Sequence, residues 1–233
     1  MPRDATTPTV IAIDGPAGSG KSTVARALAK SLGKGWTYLD SGAMYRAVTV
    51  AALERGTALD DAPALAGLAF GVTIDLSPEG RVSIDGRDVT AAIRTERVNK
   101  AVSKVAERPE VRTVMVEHQR KFAERHRRVV ADGRDMATVV FPDAVVKIYL
   151  DATLAERARR RFAEMRAQHP ELTLEDVKRS IHERDEKDQG RETGRLYQHE
   201  EAVHVDTTGK TPAKVLEEIR ALVLSRVPPV AGR

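Results

Sequence analysis

Apolar and polar positions along the chain fall into blocks with two different periods. Residues 9–13 form a short β-branched run that stops at Asp14-Gly15, the pattern of a buried strand feeding a loop. From Lys21 the period becomes helical, with Val24, Leu28 and Leu32 on one face until Gly33 and Gly35 end it. Residues 36–39 read as a second strand closed by Asp40-Ser41-Gly42. Residues 43–55 read as a helix with Met44, Val48 and Ala52 on one face.

The texture then changes. Val72, Ile74 and Leu76 alternate with polar residues, as do Val82 and Ile84, and Ser77-Pro78-Glu79-Gly80 between them has turn chemistry. Asp85-Gly86 offers a second turn leading to Val89, so a small antiparallel meander is expected across 67–95. Helices are expected over 95–107 and 110–124, then a buried strand at 129–131 closed by Asp132-Gly133, with further apolar runs at 145–150 and 202–205. Charged helices over 153–168 and 173–187 flank Pro170, and Thr173 with Asp176 has the spacing of a capping box. Thr211-Pro212 starts a last helix through Leu224, and the tail from Val227 reads as frayed.

Strands alternating with helices imply an α/β fold with a parallel sheet covered on both faces. Ligands of such a sheet bind at the carboxyl ends of its strands, where Asp14, Asp40 and Asp132 all fall.

Composition narrows this only a little. With 38 Lys and Arg against 34 Asp and Glu, the 233-residue chain carries a net +4, which suits an anionic ligand and equally an ordinary soluble protein. The absence of cysteine excludes disulfides, thiolate metal sites and a cysteine nucleophile. No stretch is apolar enough for a membrane span and residues 1–8 lack a signal-peptide core, so a cytoplasmic protein without membrane partners is expected. A monomer is the expected state. The basic stretch 125–128 raises nucleic-acid binding, but aromatic content is 4 % and no basic residues interleave with aromatics, so no nucleic-acid partner is expected.

Gly15-Pro16-Ala17-Gly18-Ser19-Gly20-Lys21-Ser22 matches G-x-x-x-x-G-K-[ST], after a strand and before a helix, the context that motif requires. Its glycines let successive backbone N–H groups turn toward a β-phosphate, and the new helix adds its positive end. Lys21 would bridge the β- and γ-phosphates, Ser22 would hold Mg²⁺, and Thr23 completes the set expected to contact ATP. Such a loop does not by itself distinguish a kinase from a GTPase or a motor.

Four further blocks narrow the choice: residues 39–46 (Leu-Asp-Ser-Gly-Ala-Met-Tyr-Arg), Asp132-Gly133-Arg134-Asp135, residues 139–144 (Val-Val-Phe-Pro-Asp-Ala), and Glu183-Arg184-Asp185 leading to Asp188 and Arg191. With the loop they resemble the bacterial cytidylate kinases, from about Val10 to Thr208. The resemblance implies a P-loop NTPase fold with a small inserted antiparallel β subdomain and a helical lid. It would be a single domain of residues 1–233, with a core at 9–66, 108–152 and 202–226, a monophosphate-binding insert at 67–107 and a lid at 153–195. It implies transfer of the γ-phosphoryl of ATP to CMP or dCMP with Mg²⁺; another P-loop small-molecule kinase, acting on UMP, AMP or shikimate, is the alternative.

By the same resemblance, Arg46, Arg134 and Arg191 hold the acceptor phosphate, a task that suits permanently charged, bidentate guanidiniums. Ser41 and Asp135 read the cytosine amino group, Arg112 the base's carbonyl edge, and Ser103, Arg184 and Asp188 the ribose; Asp40 belongs to the same block. Cytosine offers a donor where uracil offers an acceptor, so a carboxylate there rejects uracil. Arg157, Arg159, Arg160 and Arg161 open the helix leading to the lid, with Arg157 and Arg161 singled out for ATP. Asp132 could position a magnesium-bound water or accept from local backbone N–H groups. Ala137 and the stretch after Arg191 depart from the family's usual residues, and Tyr197 is expected to pack.

Independently of any resemblance, Arg184, Asp188 and Arg191 stand at i, i+4 and i+7, which on a continuous helix puts them on one face. A solvated salt-bridge ladder has the same spacing. A phosphate acceptor is already an oxyanion near neutral pH, so no strong general base is needed, and His118, His182 and His199 are expected to be non-catalytic.

Overall fold

The computed structural model describes residues 7–167 and 169–227. Residues 228–233 of the expected frayed tail, and Gln168 at the end of an expected helix, lie outside the described residues.

The chain opens with β1 (Thr9–Asp14), then turns through the glycine loop into α1 (Lys21–Ser31), which buries Val24, Ala25 and Leu28. β2 (Thr37–Asp40) runs into α2 (Ser41–Arg55), with Asp40 as N-cap accepting the Ala43 N–H at 2.8 Å. The next helix, α3 (Ala62–Gly71), takes over the start of the stretch expected to be all β. Its signals are readable in hindsight: Asp61 caps it through the Ala64 N–H at 2.9 Å and Pro63 sits in its first turn. The antiparallel meander follows as β3 (Ile74–Leu76), β4 (Val82–Ile84) and β5 (Arg87–Asp88). Asp85 at φ 51° and Gly86 at φ 76° form the left-handed pair that a two-residue hairpin needs.

α4 (Glu96–Ala106) and α5 (Pro109–His126) lead to β6 (Arg128–Gly133). A π-helical turn at Met136–Val140, not foreshadowed by periodicity, separates β6 from β7 (Val146–Asp151). α6 (Leu154–Met165) and α7 (Leu174–Gly190) follow, the latter started by the expected Thr173–Asp176 capping box. β8 (Val203–Asp206) and α8 (Pro212–Arg226) close the chain.

β2, β6, β1, β7 and β8 form, in that order, one sheet of parallel strands. Successive residues of its central strand face opposite layers. Val10 and Ala12 pack with α2 to α5 and the small meander, whereas Ile11 and Ile13 pack with α1 and α8. α6 and α7 have a minor core of their own, Ala158, Val177 and Ile181 with Leu154 and Phe162. This is the P-loop NTPase arrangement with a small antiparallel insertion. Among the described residues no helix is long and apolar enough to cross a membrane.

Candidate active site

Strand order creates the site. β1 lies between β6 and β7, so the loop leaving β1 meets the ends of both neighbours, and the register aligns Ile13 and Asp40 with Asp132. Gly15 presses so closely on β7 that a Cβ there would overlap the Leu150 carbonyl oxygen. The loop is therefore backed by main chain.

The Lys21 ammonium is buried and donates to the Pro16 carbonyl at 2.6 Å and to Ser19 Oγ at 3.4 Å. Burial, then the Arg134 charge, drives its pKa well down against the opposing pull of Asp132. Ser22 Oγ donates to Asp132 Oδ2 at 2.8 Å and the Tyr38 hydroxyl donates to Asp132 Oδ1 at 2.6 Å. Two hydroxyls, not local backbone N–H groups, thus orient Asp132. Burial and then Asp40 raise the pKa of Asp132, against the hydroxyl donors and Lys21.

Beyond the end of β6, one buried carboxylate gathers three guanidiniums. Asp188 accepts from Arg134 Nε at 2.6 Å and pairs with Arg191 Nη2 at 2.6 Å, with Arg184 Nε at 4.0 Å. The helical-face expectation needs correcting in one respect. α7 stops at Gly190 and Arg191 is extended (φ −62°, ψ 143°), so Arg191 reaches Asp188 from the chain beyond the helix. The Leu196 N–H donates to the Asp188 carbonyl at 2.9 Å and holds that return. Burial would raise the pKa of Asp188, but Arg134, Arg191 and Arg184 outweigh it and hold the carboxyl below its usual range. Burial lowers the pKa values of Arg46, Arg184 and Arg191, and the neighbouring arginines add to the fall. Positive charge in excess of local carboxylates is the electrostatic signature of an anion site.

Arg112 is buried beside this cluster. Its Nη1 donates to the Ala106 carbonyl at 3.2 Å, its Nη2 is paired with Asp135, and its guanidinium carbon lies 5.6 Å from the centre of the Tyr45 ring. Gly194, at φ 64°, lies so close that a Cβ would overlap the guanidinium. Ser41 Oγ donates to the Asp132 carbonyl at 2.7 Å, and Arg46 Nη1 donates to the Gly42 carbonyl at 3.3 Å. Ser103 is half-buried on α4 and makes no side-chain hydrogen bond to this network.

The arginines of α6 divide. Arg157 is buried behind the loop, donating to the carbonyls of Ala17 at 3.0 Å and Ala152 at 2.9 Å and paired with Asp185. Arg161 is about half exposed and bonds Glu164 at 3.0 Å. Arg160 donates to the Thr207 hydroxyl at 2.9 Å and carbonyl at 2.6 Å, and Thr207 Oγ1 donates to the Ser19 or Asp151 carbonyl. Asp185 also accepts the Ala17 N–H at 3.3 Å. Tyr38 and Thr207 were not named from sequence, and Asp14, Asp185 and Arg160 were named only as a strand end, a block member and one of an arginine run, with no partner assigned. Only the fold brings them to the site.

The three histidines lie elsewhere. His118 Nε2 is 3.0 Å from the Ala69 carbonyl oxygen, His182 sits 3.6 Å from Glu186, and His199 Nδ1 accepts the Glu201 N–H at 3.1 Å. Tyr197 does not pack as expected: it is 51 % exposed. It lines a cleft of about 670 Å³ with Val139, Gly194 and Arg195.

Comparison with known proteins decides the family. The profile described as Cytidylate kinase matches residues 11–225. The chain belongs to the cytidylate kinase family. The Cytidylate kinase of Carboxydothermus hydrogenoformans is 50 % identical over 216 residues, covering 90 % of this chain and 96 % of that protein. The Cytidylate kinase of Caldanaerobacter subterraneus is 47 % identical over 209 residues, covering 90 % of this chain and 92 % of that protein. This kinase is therefore a nucleotide-binding phosphotransferase with a phosphate group as acceptor.

Proposed function

We propose that this kinase moves the γ-phosphoryl of ATP to CMP or dCMP, giving CDP or dCDP and ADP, with Mg²⁺ bound at Ser22 and Asp132. The observation that carries the proposal is the pairing, at one end of the sheet, of a phosphate loop with a guanidinium cluster built around Asp188.

The donor side rests on residues 15–23, the loop and the helix start. Their N–H groups and Lys21 suit the β- and γ-phosphates. Ser22 and Asp132 supply hard oxygen atoms 2.8 Å apart. Among the described residues no group of three or more His, Cys, Asp or Glu could hold a metal. Mg²⁺ would therefore rest on these two residues, water and nucleotide phosphates, the mode it favours. When bound, it neutralises charge on the phosphates.

Arg46, Arg134 and Arg191 would take the acceptor phosphate. Asp188 would exchange part of its guanidinium contact for the ribose hydroxyls, alongside Arg184 and Ser103. Asp135, held by Arg112, would accept from the cytosine amino group, with Ser41 beside it. The acceptor oxygen needs no strong base, so catalysis consists of holding donor and acceptor in line and neutralising the transferring group. Arg161, half exposed on α6, would exchange its surface pairing with Glu164 for ATP phosphates, whereas Arg157 would act by bracing Ala17 from behind.

A coupled assay with ATP, Mg²⁺ and CMP, dCMP, UMP or AMP tests the assignment. The highest kcat/KM is expected with CMP or dCMP, and Lys21→Ala is expected to lower kcat by about 10²–10³-fold. Preference for UMP would remove Ser41 and Asp135 from base reading. Failure to form CDP from CMP would end the proposal.

A further inference from the structure

Asp14 is the last residue of β1, directly before the phosphate loop, and is 2 % exposed. One carboxylate oxygen accepts the Met136 N–H at 2.8 Å and the other accepts the Ala137 N–H at 2.8 Å. Those N–H groups open the π-helical turn immediately after Arg134 and Asp135. The two residues assigned above to the acceptor phosphate and base therefore hang from a turn gripped by the donor strand.

A bidentate grip on consecutive N–H groups fixes the turn's rotation as well as its distance. The grip has little play at its root, because the next residue, Gly15, is pressed against the Leu150 carbonyl. A buried carboxylate is also a costly way to cap a turn, since a neutral side chain would satisfy N–H groups without desolvating a charge. Asp135 adds repulsion and Lys21 only partly compensates.

We propose that Asp14 is a positioning residue that sets the spacing and orientation of the acceptor turn relative to the phosphate loop. It acts through Arg134 and Asp135 and touches neither nucleotide. The inference rests on the acceptor reading of those two residues. Displacement of reacting groups by about 1 Å costs on the order of 10²-fold in rate, so loosening this grip should be visible kinetically.

Asp14→Asn keeps the side chain's size but turns one acceptor into an NH₂ donor facing a backbone N–H. With ATP saturating, it is expected to raise KM for CMP and lower kcat, for a loss in kcat/KM of about 10²-fold. The dissociation constant of fluorescent ADP, measured by titration, is expected to stay within about threefold of the parent. Asp14→Glu, which keeps the charge but is longer by one methylene, is expected to show the same split. Kinetic constants for CMP within twofold of the parent would overturn the proposal. So would parallel weakening of ADP and CMP binding, or insolubility of both variants, each of which marks a purely structural residue. An unmodified enzyme that made no CDP would instead count against the acceptor reading itself.

Discussion

The charge on Asp14 has a thermodynamic signature separable from its kinetic one. Burial is the main influence on this carboxyl and raises its pKa from 3.8 to about 7, with Asp135 adding to the rise while the Met136 and Ala137 N–H groups and Lys21 oppose it. Tyr149 on β7 also feels the Asp14 charge. Between those pH values the folded protein keeps a proton that the unfolded chain has released. The associated stability is therefore complete below pH 3.8 and is lost as pH rises through about 7. At about 1.4 kcal/mol per pH unit, the whole loss is about 4 kcal/mol, of which about 3 kcal/mol falls between pH 5 and 8.

Asp14→Asn cannot titrate, so its stability relative to the parent should climb by that last amount over the same interval. The hydrogen bond the variant loses lowers its stability by an amount that does not depend on pH and so drops out of the comparison. Urea unfolding of both proteins without nucleotide, at pH 5, 6, 7 and 8 in one buffer system of fixed ionic strength, reads the difference directly. A difference flat to within about 0.5 kcal/mol would refute the reasoning, because it would mean that the carboxyl titrates alike in folded and unfolded chains.

Other perturbations test other parts of the site. Tyr38→Phe removes one of the two hydroxyls orienting Asp132, which should lower stability by about 1 kcal/mol and raise the Mg²⁺ concentration for half-maximal rate several-fold; an unchanged Mg²⁺ titration would detach Asp132 from the metal. Gly194→Ala would drive a Cβ into the Arg112 guanidinium, which cannot swing away because Ala106 and Asp135 hold it. KM for CMP should rise by roughly 10-fold, with about 1 kcal/mol of added strain from the left-handed backbone, and an unaltered KM would show that this contact is not part of base recognition. Asp185→Ala leaves Arg157 buried without its carboxylate, and urea unfolding should show a loss of about 3–5 kcal/mol; a loss below about 1 kcal/mol would mean that the pair does not brace the loop.

Much of the scaffold was readable from short-range rules. The β1-loop-α1 unit, the capping box at Thr173, the Asp85-Gly86 hairpin and the helices on either side of Pro170 all follow from turn chemistry and periodicity acting within a few residues. α3 was missed because its Ala- and Gly-rich segment has no clear apolar face, and its Asp61 cap and Pro63 were the weaker signals. α7 runs to Gly190, three residues beyond the expected end at Lys187, yet still stops before Arg191, where the chain turns back and the Leu196 N–H donates to the Asp188 carbonyl.

The amino-acid sequence by itself determined the phosphate loop, the alternation of strands and helices, and the stock of arginines and carboxylates, because each of these is encoded within a few neighbouring positions. Which of those charges meet was decided by tertiary structure. Asp14 reaches Met136, Tyr38 reaches Asp132 and Arg157 reaches Ala17 only because β6 lies between β2 and β1, and because α6 and α7 dock behind the loop. Local propensity falls off within a turn or two of chain, whereas burial and charge pairing depend on distance in space, so these partners acquire their roles only when the sheet closes.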